Sequence, residues 1–201
     1  MIDAGTDFEI NIHSGNRNGY LKRQRLILSE KISQLFESHG NRVTGFLVNM
    51  LGDYDRARDL TQESYYKLYK YLQKKSEDVE DDNRELHPLL FRIALNLGRD
   101  EIRKRKVRKE RPIPEGFDFA KEEEPSSLEE EEQKKLIYES INQLPADYKE
   151  ALMLRDIEGH SYKDVSRILK LEIGTVKSRI NRARIKFKNI YLSRLRENND
   201  E

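Results

Sequence analysis

The sequence contains no cysteine and no long apolar run, and each absence excludes a class of protein. Without cysteine there is no disulfide framework, no thiolate metal site and no thiol nucleophile, which fits a reducing compartment. Without an apolar run or a signal-peptide core, we expect a soluble, cytoplasmic chain with no membrane insertion. Only 36% of the 201 residues are apolar and 37% are charged, so we expect two small cores.

Apolar residues recur at helical spacing, and no alternating pattern indicates a strand, so the sequence predicts an all-α protein. His39-Gly40 is expected to interrupt the first helical stretch, and Gly52-Asp53 to join two helices, with Asp53 or Asp55 as a cap. Pro88 is expected at the first position of a helix. The predicted boundaries are a disordered extension 1–20, a helical domain 21–111, an acidic linker 112–126, a second helical domain 127–195 and a tail 196–201.

The net charge of +1 conceals a strong segregation of charge along the chain. Residues 99–111 and 160–196 are basic, whereas residues 115–132 are acidic. Blocks of one sign usually serve either contact with a polyanion or solvation. The two basic stretches are therefore candidates for nucleic-acid contact.

Residues 161–192 form the pattern of a helix-turn-helix. Ser161 followed by Asp164 is typical of a helix cap, a tight connection is predicted at 171–174, and a longer helix at 175–192. On that second helix four apolar residues should face the core, namely Val176, Ile180, Ala183 and Phe187. The basic and amide side chains between them can read base edges in a DNA groove. A solvated basic helix is the alternative interpretation.

Around this motif the sequence resembles a known family. Leu144-Pro145, residues 154–159, Ser161-Tyr162 and residues 174–184 closely resemble the fourth conserved region of extracytoplasmic-function sigma factors. The resemblance implies binding to the minus-thirty-five promoter element through Thr175, Lys177, Ser178, Arg179, Asn181, Arg182 and Arg184. Many members have an aromatic residue or a histidine in place of Asn181, which leaves the base preference open.

The N-terminal half resembles the second conserved region of the same family. Leu51-Gly52-Asp53, Asp59-Leu60 and Gln62-Glu63-Ser64 carry this resemblance. In the family this helix docks on the clamp helices of the polymerase beta-prime subunit. The implied contacts with core RNA polymerase are Asp59, Gln62, Glu63 and Tyr66, which share a polar helix face. A solvated face is the alternative, and for most of the tyrosines at 65, 66, 69 and 71 packing or partner contact is favoured over base stacking.

Residues 91–96 resemble the helix that engages the minus-ten element. The implied contacts are Asn96, Arg99, Asp100 and Arg103, which share one face. Asp100 can instead form an internal pair with Arg103 or Lys104. In the family the segment at 74–87 forms a pocket that captures unstacked bases, so opening DNA requires no hydrolysis. Here that segment is long and acidic.

The resemblance implies a factor that directs core RNA polymerase to promoters and promotes their melting, without enzymatic activity, cofactor or metal. The implied partners are promoter DNA, the beta-prime clamp helices and the beta flap. An anti-sigma factor is a further partner that is common in the family. The acidic linker is either a flexible spacer or a nucleic-acid mimic that threads a polymerase channel.

Other function classes compete with this interpretation. The four histidines are dispersed, and no nucleophile, base and orienting group recur at a known spacing, which argues against an enzyme. Asp53, Asp55, Asp59 and Glu63 lack the glycine and the ligand order of a calcium loop, so capping and solvation are favoured over a metal site. The stronger rival is a stand-alone helix-turn-helix transcriptional regulator, which would bind an operator without polymerase and usually as a dimer.

Overall fold

A computed structural model describes residues 11–74, 83–108 and 128–199, which form helices and the short connections between them. The predicted all-α class is confirmed within these ranges. The predicted linker at 112–126 and most of the segment at 74–87 lie outside the described residues. None of the described helices has an apolar stretch long enough to cross a membrane.

The first three helices form the N-terminal unit. They are α1 (Asn11–Leu51), α2 (Tyr54–Lys74) and α3 (Asn83–Arg108), and α1 packs against both of the others. Gly52 adopts a positive φ of 67° at the corner between α1 and α2, and Asp53 Oδ1 accepts a hydrogen bond from the Arg56 amide at 2.9 Å, which confirms its predicted capping role. The core of the unit contains Val43, Phe46, Leu47, Leu60, Leu68, Leu90, Phe91 and Leu95.

Two predicted helix boundaries in this unit are wrong. α1 begins at Asn11 and continues through His39-Gly40, where the sequence predicted an interruption, without a break. A glycine inside a helix costs only about 1 kcal/mol, which the buried residues around it offset. Pro88 lies inside α3, which begins at Asn83. Proline has no backbone N–H, so the carbonyl four residues before Pro88 lacks its usual donor. That carbonyl lies in the first turn of α3, where the loss of one hydrogen bond matters least.

The remaining helices form the C-terminal unit. They are α4 (Leu128–Asn142), α5 (Ala146–Leu152), which continues as a π-helical turn (Met153–Ile157), α6 (Tyr162–Leu169) and α7 (Ile173–Asn199). Pro145 precedes α5 as predicted, and Ser161 Oγ caps α6 by accepting from the Asp164 amide at 3.1 Å. α7 is longer at both ends than the predicted helix. The core of this unit contains Leu136, Leu144, Met153, Leu154, Val165, Ile168, Val176, Ile180 and Ala183.

Gly159 ends the π-helical turn with a φ of 70°, in the left-handed region. Although a Cβ at Gly159 would meet no neighbouring atom, we expect Gly159→Ala to lower the free energy of unfolding by about 1–2 kcal/mol because of this φ. Gly45 in α1 also has open space around it, but its backbone is helical, so Gly45→Ala should raise that free energy by about 0.5–1 kcal/mol. Chemical denaturation of the two variants measures both changes, and equal effects would contradict the requirement for glycine at 159.

Candidate nucleic-acid and polymerase interfaces

The second helix of the helix-turn-helix, α7, has the predicted apolar stripe. Val176, Ile180 and Ala183 are fully buried against the rest of the C-terminal unit, and Phe187 is half-buried against the same core. Residues at this spacing lie on one side of a helix, so the intervening side chains must face outward. The stripe therefore fixes which side of α7 is available to a ligand.

The outward side of α7 is polar and basic. Lys177, Ser178, Asn181 and Arg182 are exposed, and Thr175 is exposed at the start of the helix. Ser178 Oγ donates to the Thr175 carbonyl at 2.9 Å, which closes the first turn of the helix. Within the described residues, these side chains form a continuous surface of hydrogen-bond donors on a single helix, which is the chemistry that reads base edges in the major groove.

Two residues predicted to contact DNA form ion pairs with carboxylates of the same unit. Arg179 is only 20% exposed and pairs with Asp147 at the start of α5, with an N–O distance of 3.4 Å. Arg184 donates from Nε to Asp156 Oδ2 at 2.9 Å, and this hydrogen bond raises the Arg184 pKa above its usual value. These pairs attach α7 to α5 and to the π-helical turn. Neither pair could be predicted from the sequence, because the partners lie on different elements.

The predicted minus-ten residues on α3 have different environments. Asn96 is exposed, and Asp100 and Arg103 form an exposed ion pair at 3.0 Å, so the internal pair considered for Asp100 is confirmed. Arg99 extends to the C-terminal unit and donates from Nε to Oε1 of the buried Glu150 at 2.8 Å. This hydrogen bond raises the Arg99 pKa. The four residues lie on α3 as predicted; Asn96, Asp100 and Arg103 are exposed, whereas Arg99 is partly exposed.

The basic run at the end of α3 contains one structural residue. Arg105 donates to Asp53 Oδ2 at 2.7 Å and to the Leu51 carbonyl at 3.2 Å, so it binds the corner between α1 and α2. Next to it, the buried Glu101 accepts from Arg56 at 2.8 Å, and this bond is the main reason that the Glu101 pKa is lowered. The neighbours of Arg105 at 103, 104 and 106 remain exposed.

One side of α2 presents the residues predicted to contact polymerase. The Asp59 side chain is 65% exposed, Gln62 and Tyr66 are exposed, and Glu63 is partly exposed and pairs with Lys67 at 2.9 Å. The opposite side of α2 is buried and includes Leu60, Leu68 and Tyr65. Tyr65 donates to the Leu35 carbonyl at 3.2 Å, which confirms packing for this tyrosine. The predicted contact residues thus share one accessible surface.

Metal chemistry finds no support in the described ranges. No group of three or more histidine or carboxylate side chains there could hold a metal ion. Asp53, which the sequence offered as one member of an acidic cluster, caps α2 and pairs with Arg105. Capping therefore accounts for this residue.

Comparison with known proteins assigns the two units. The family model Sigma-70 region 2 matches residues 35–108, and the model Sigma-70, region 4 matches residues 134–187. The ECF RNA polymerase sigma factor EcfG of Rhodopseudomonas palustris is 36% identical over 146 residues, which are 70% of this chain and 74% of that protein. The chain belongs to the extracytoplasmic-function sigma factors.

Other relatives agree with this assignment, and a solved structure has a similar fold. The RNA polymerase sigma-H factor of Pseudomonas aeruginosa is 30% identical over 154 residues, covering 72% of this chain and 77% of that protein. SigE of Mycolicibacterium smegmatis is 29% identical over 154 residues, and the match spans 58% of its length. The sigma factor RpoE of Bartonella quintana, solved with the anti-sigma factor NepR, has the same fold, with a TM-score of 0.62 at 24% identity, covering 80% of this chain and 96% of that chain.

This family directs RNA polymerase to promoters and is not enzymatic. The match to region 2 favours a sigma factor over a stand-alone regulator, because a regulator that acts through its helix-turn-helix alone has no need of a polymerase-binding domain. The region 2 match begins within α1 and extends to the end of α3, and the region 4 match extends from within α4 to the middle of α7.

Proposed function

We propose that this sigma factor uses three separate surfaces during initiation. The exposed side of α2 binds the beta-prime clamp helices of core polymerase, α3 contacts the minus-ten element, and α7 reads the minus-thirty-five element. The proposed residues are Asp59, Gln62, Glu63 and Tyr66 for polymerase; Asn96, Arg99, Asp100 and Arg103 for the minus-ten element; and Thr175, Lys177, Ser178, Arg179, Asn181, Arg182 and Arg184 for the minus-thirty-five element.

The observation that carries this proposal is the two-sided character of α7. A fully buried stripe fixes the helix in its domain, and the opposite side presents Lys177, Asn181 and Arg182 to solvent. Lysine and arginine donate to guanine acceptors, and asparagine pairs with the adenine edge. Arg179 and Arg184 already have carboxylate partners, so we assign them to positioning α7 and to contacts near phosphates after their pairs rearrange.

On α3 we propose that Asn96 contacts a base while Arg103 neutralises phosphate charge. Promoter melting would follow from capture of unstacked bases, since binding energy can offset an unstacking cost of a few kcal/mol per base. We also propose an anti-sigma factor as a regulatory partner, because the similar Bartonella protein was solved with one. The proposed site of action is the cytoplasm, where core polymerase and promoter DNA are found.

Transcription in vitro tests the proposed function directly. The purified chain is added to core polymerase with genomic fragments, and the transcripts are mapped to their start sites. We expect initiation at a small set of promoters that share two conserved elements. Tight binding to an operator in the absence of polymerase, with no specific initiation, would instead support the stand-alone regulator.

Reversing the charge of Asp59 and Glu63 should weaken binding to core polymerase. Both carboxylates are accessible on α2, and their ion pairs with Arg56 and Lys67 are exposed and contribute little to folding. We expect Asp59→Lys with Glu63→Lys to raise the dissociation constant for core by about tenfold or more, which corresponds to roughly 1.4 kcal/mol, with an almost unchanged thermal unfolding curve. A fluorescence titration with core polymerase measures this change.

The matched control reverses two exposed carboxylates on α1, Glu30→Lys with Glu37→Lys. This pair changes the net charge by the same amount but lies on a different helix. It should leave the affinity for core close to that of the parent. Equal losses in both double variants would mean that net charge, and not this side of α2, controls the interaction.

A further inference from the structure

Three histidines meet where the N-terminal and C-terminal units touch. His39 lies on α1, His87 on α3 and His160 just before α6. The ring centroids of His39 and His87 are 4.4 Å apart, and those of His87 and His160 are 4.7 Å apart. Phe91 packs its ring 4.5 Å from His160 and 4.8 Å from His87. The histidine cluster (His39, His87 and His160) therefore joins three elements from both units.

The surroundings of His87 and His160 favour the neutral form of both imidazole rings. His160 is 4% exposed, and within the described residues the Nε2 atoms of His87 and His160 have no hydrogen-bond partner. A proton added at either atom would place an unpaired charge against another imidazole and a phenyl ring. Burial lowers the pKa of His87 to about 3 and that of His160 to about 4, and it lowers the pKa of His39 as well.

The charged groups around the cluster come from both units. From α1, Arg42 donates to the Glu158 carbonyl, and its Nε lies 3.5 Å from Glu158 Oε2. Arg155 in the π-helical turn donates to the His160 carbonyl at 2.7 Å. From α6, Asp164 attracts a proton to His87 and His160, but this effect is smaller than that of burial. Arg42 opposes protonation of all three rings.

We propose that the histidine cluster is a proton-sensitive latch, which holds the two units of the free sigma factor together near neutral pH and releases them on acidification. The two units touch beyond the cluster itself: α3 packs against α6, and the ion pairs Arg42–Glu158 and Arg99–Glu150 also join the units. Separation of the units would expose the rings to water.

The direction of the pH effect follows from the protons bound in the two states. In the separated form His87 and His160 regain the ordinary histidine pKa of about 6.5, whereas in the closed form both remain neutral down to about pH 4. The histidine contribution to closure is thus fully present above about pH 6.5 and is lost as the pH falls below that value. Each net proton taken up on opening raises the opening constant about tenfold per pH unit.

Glu158 acts in the opposite direction. Burial raises its pKa to about 7 in the closed form, partly offset by Arg42, so between pH 7 and its usual value the closed form binds a proton that the separated form does not. One carboxyl therefore favours closure on acidification, while at least two histidines favour opening. The two histidines outweigh the carboxyl only below about pH 7, where the net proton uptake on opening rises to about one near pH 5.5.

Opening of the latch would also release Arg99 from Glu150. The availability of Arg99 to DNA matters only if the proposed minus-ten contact is right, so this consequence rests on the proposed function. The latch itself does not rest on it, because the latch concerns the free protein without DNA. A failure of the latch and a failure of the proposed function are therefore separable: the first appears in the conformation of the isolated chain, the second in transcription.

The absence of cysteine makes a distance measurement straightforward. Arg58→Cys in α2 and Lys188→Cys in α7, both exposed, introduce one dye site into each unit. Energy transfer between the two dyes in the free protein should be high at about pH 7.5 and lower at about pH 5.5. The opening constant should rise by about fivefold over this range, because Glu158 offsets most of the histidine effect. The variant with His87→Phe and His160→Phe keeps the aromatic packing but loses both protonation sites. Its energy transfer should stay constant or rise on acidification, because Glu158 then favours the closed form.

The latch would be overturned if the energy transfer between the dyes did not change across this pH range in the chain with all three histidines. It would also be overturned if the decrease in energy transfer on acidification were equal in the His87→Phe, His160→Phe variant. Loss of helical circular dichroism over the same range would also overturn it, because that result means unfolding of the units. Proton NMR of the histidine rings keeps the test valid if the double variant fails to fold. In the unsubstituted chain, His87 and His160 should titrate together with opening, and titration near pH 6.5 without opening would contradict the proposal.

Discussion

Replacing Lys177 and Arg182 together with alanine should abolish most of the promoter affinity of the polymerase holoenzyme. Each side chain is exposed on the outward side of α7, opposite the buried stripe of Val176, Ile180 and Ala183. A side chain that reads a base contributes about 1–3 kcal/mol, so the double variant should lose about 2–6 kcal/mol, roughly 30-fold or more in affinity. Binding to core polymerase should persist, since α2 is unchanged.

Promoter binding measured at several salt concentrations separates base reading from phosphate contact. A lost phosphate contact weakens binding to all sequences and reduces the salt dependence, whereas a lost base contact relaxes the preference at one position. The matched control is Lys186→Ala with Lys188→Ala, which removes the same charge from exposed positions further along α7. If the control loses as much affinity as the test variant, the general charge of α7 accounts for binding and the reading role is wrong.

The organisation of α7 could be predicted because it depends on local chemistry. A buried stripe requires apolar residues three and four positions apart, and the cap at Ser161 requires an acceptor just before α6, so both leave a pattern in a short stretch of sequence. The same holds for Asp53 at the start of α2. Once the buried stripes of α2 and α7 are known, the residues on the opposite sides of these helices can be predicted to be exposed.

The ion pairs and the histidine cluster could not be predicted, because they depend on which helices meet. Arg99 looked like a free DNA contact, yet Glu150 from the other unit holds it. Arg105 stands in a basic run that indicates phosphate contact, yet it binds the corner between α1 and α2. The histidines seemed dispersed in the sequence, and only the packing of α3 against the C-terminal unit brings His87 to His160.

The helix boundaries at Gly40 and Pro88 could not be predicted either, because they also depend on tertiary packing. Gly40 and Pro88 have unfavourable intrinsic preferences for a helix interior, and the sequence therefore predicted a break at the first and a helix start at the second. In the structure α1 continues through Gly40, where a Cβ would make only an ordinary contact of 3.5 Å with the Phe36 ring, so the neighbouring side chains do not require glycine there. Tertiary packing along α1 thus outweighs a preference of about 1 kcal/mol.

Phe46→Ala should be among the most destabilising single substitutions in region 2. The Phe46 side chain is fully buried, and its ring packs edge-on against Phe91 with centroids 5.4 Å apart, so it joins α1 to α3. Removing a buried phenyl ring costs about 3–5 kcal/mol through lost burial and the cavity that remains. A domain is stabilised by only about 5–15 kcal/mol in total, so this loss should leave region 2 close to unfolding.

Chemical denaturation followed by circular dichroism measures the effect, with Phe36→Ala as the matched control. Phe36 lies on the same helix but is 47% exposed, and its ring touches Tyr65 at a centroid distance of 5.0 Å. Its removal should cost about 1 kcal/mol, the usual worth of an aromatic pair. Similar midpoints for the two variants would contradict the packing of α1 against α3. Since α2 is held in the same core, Phe46→Ala should also lose binding to core polymerase, and Phe36→Ala should retain it.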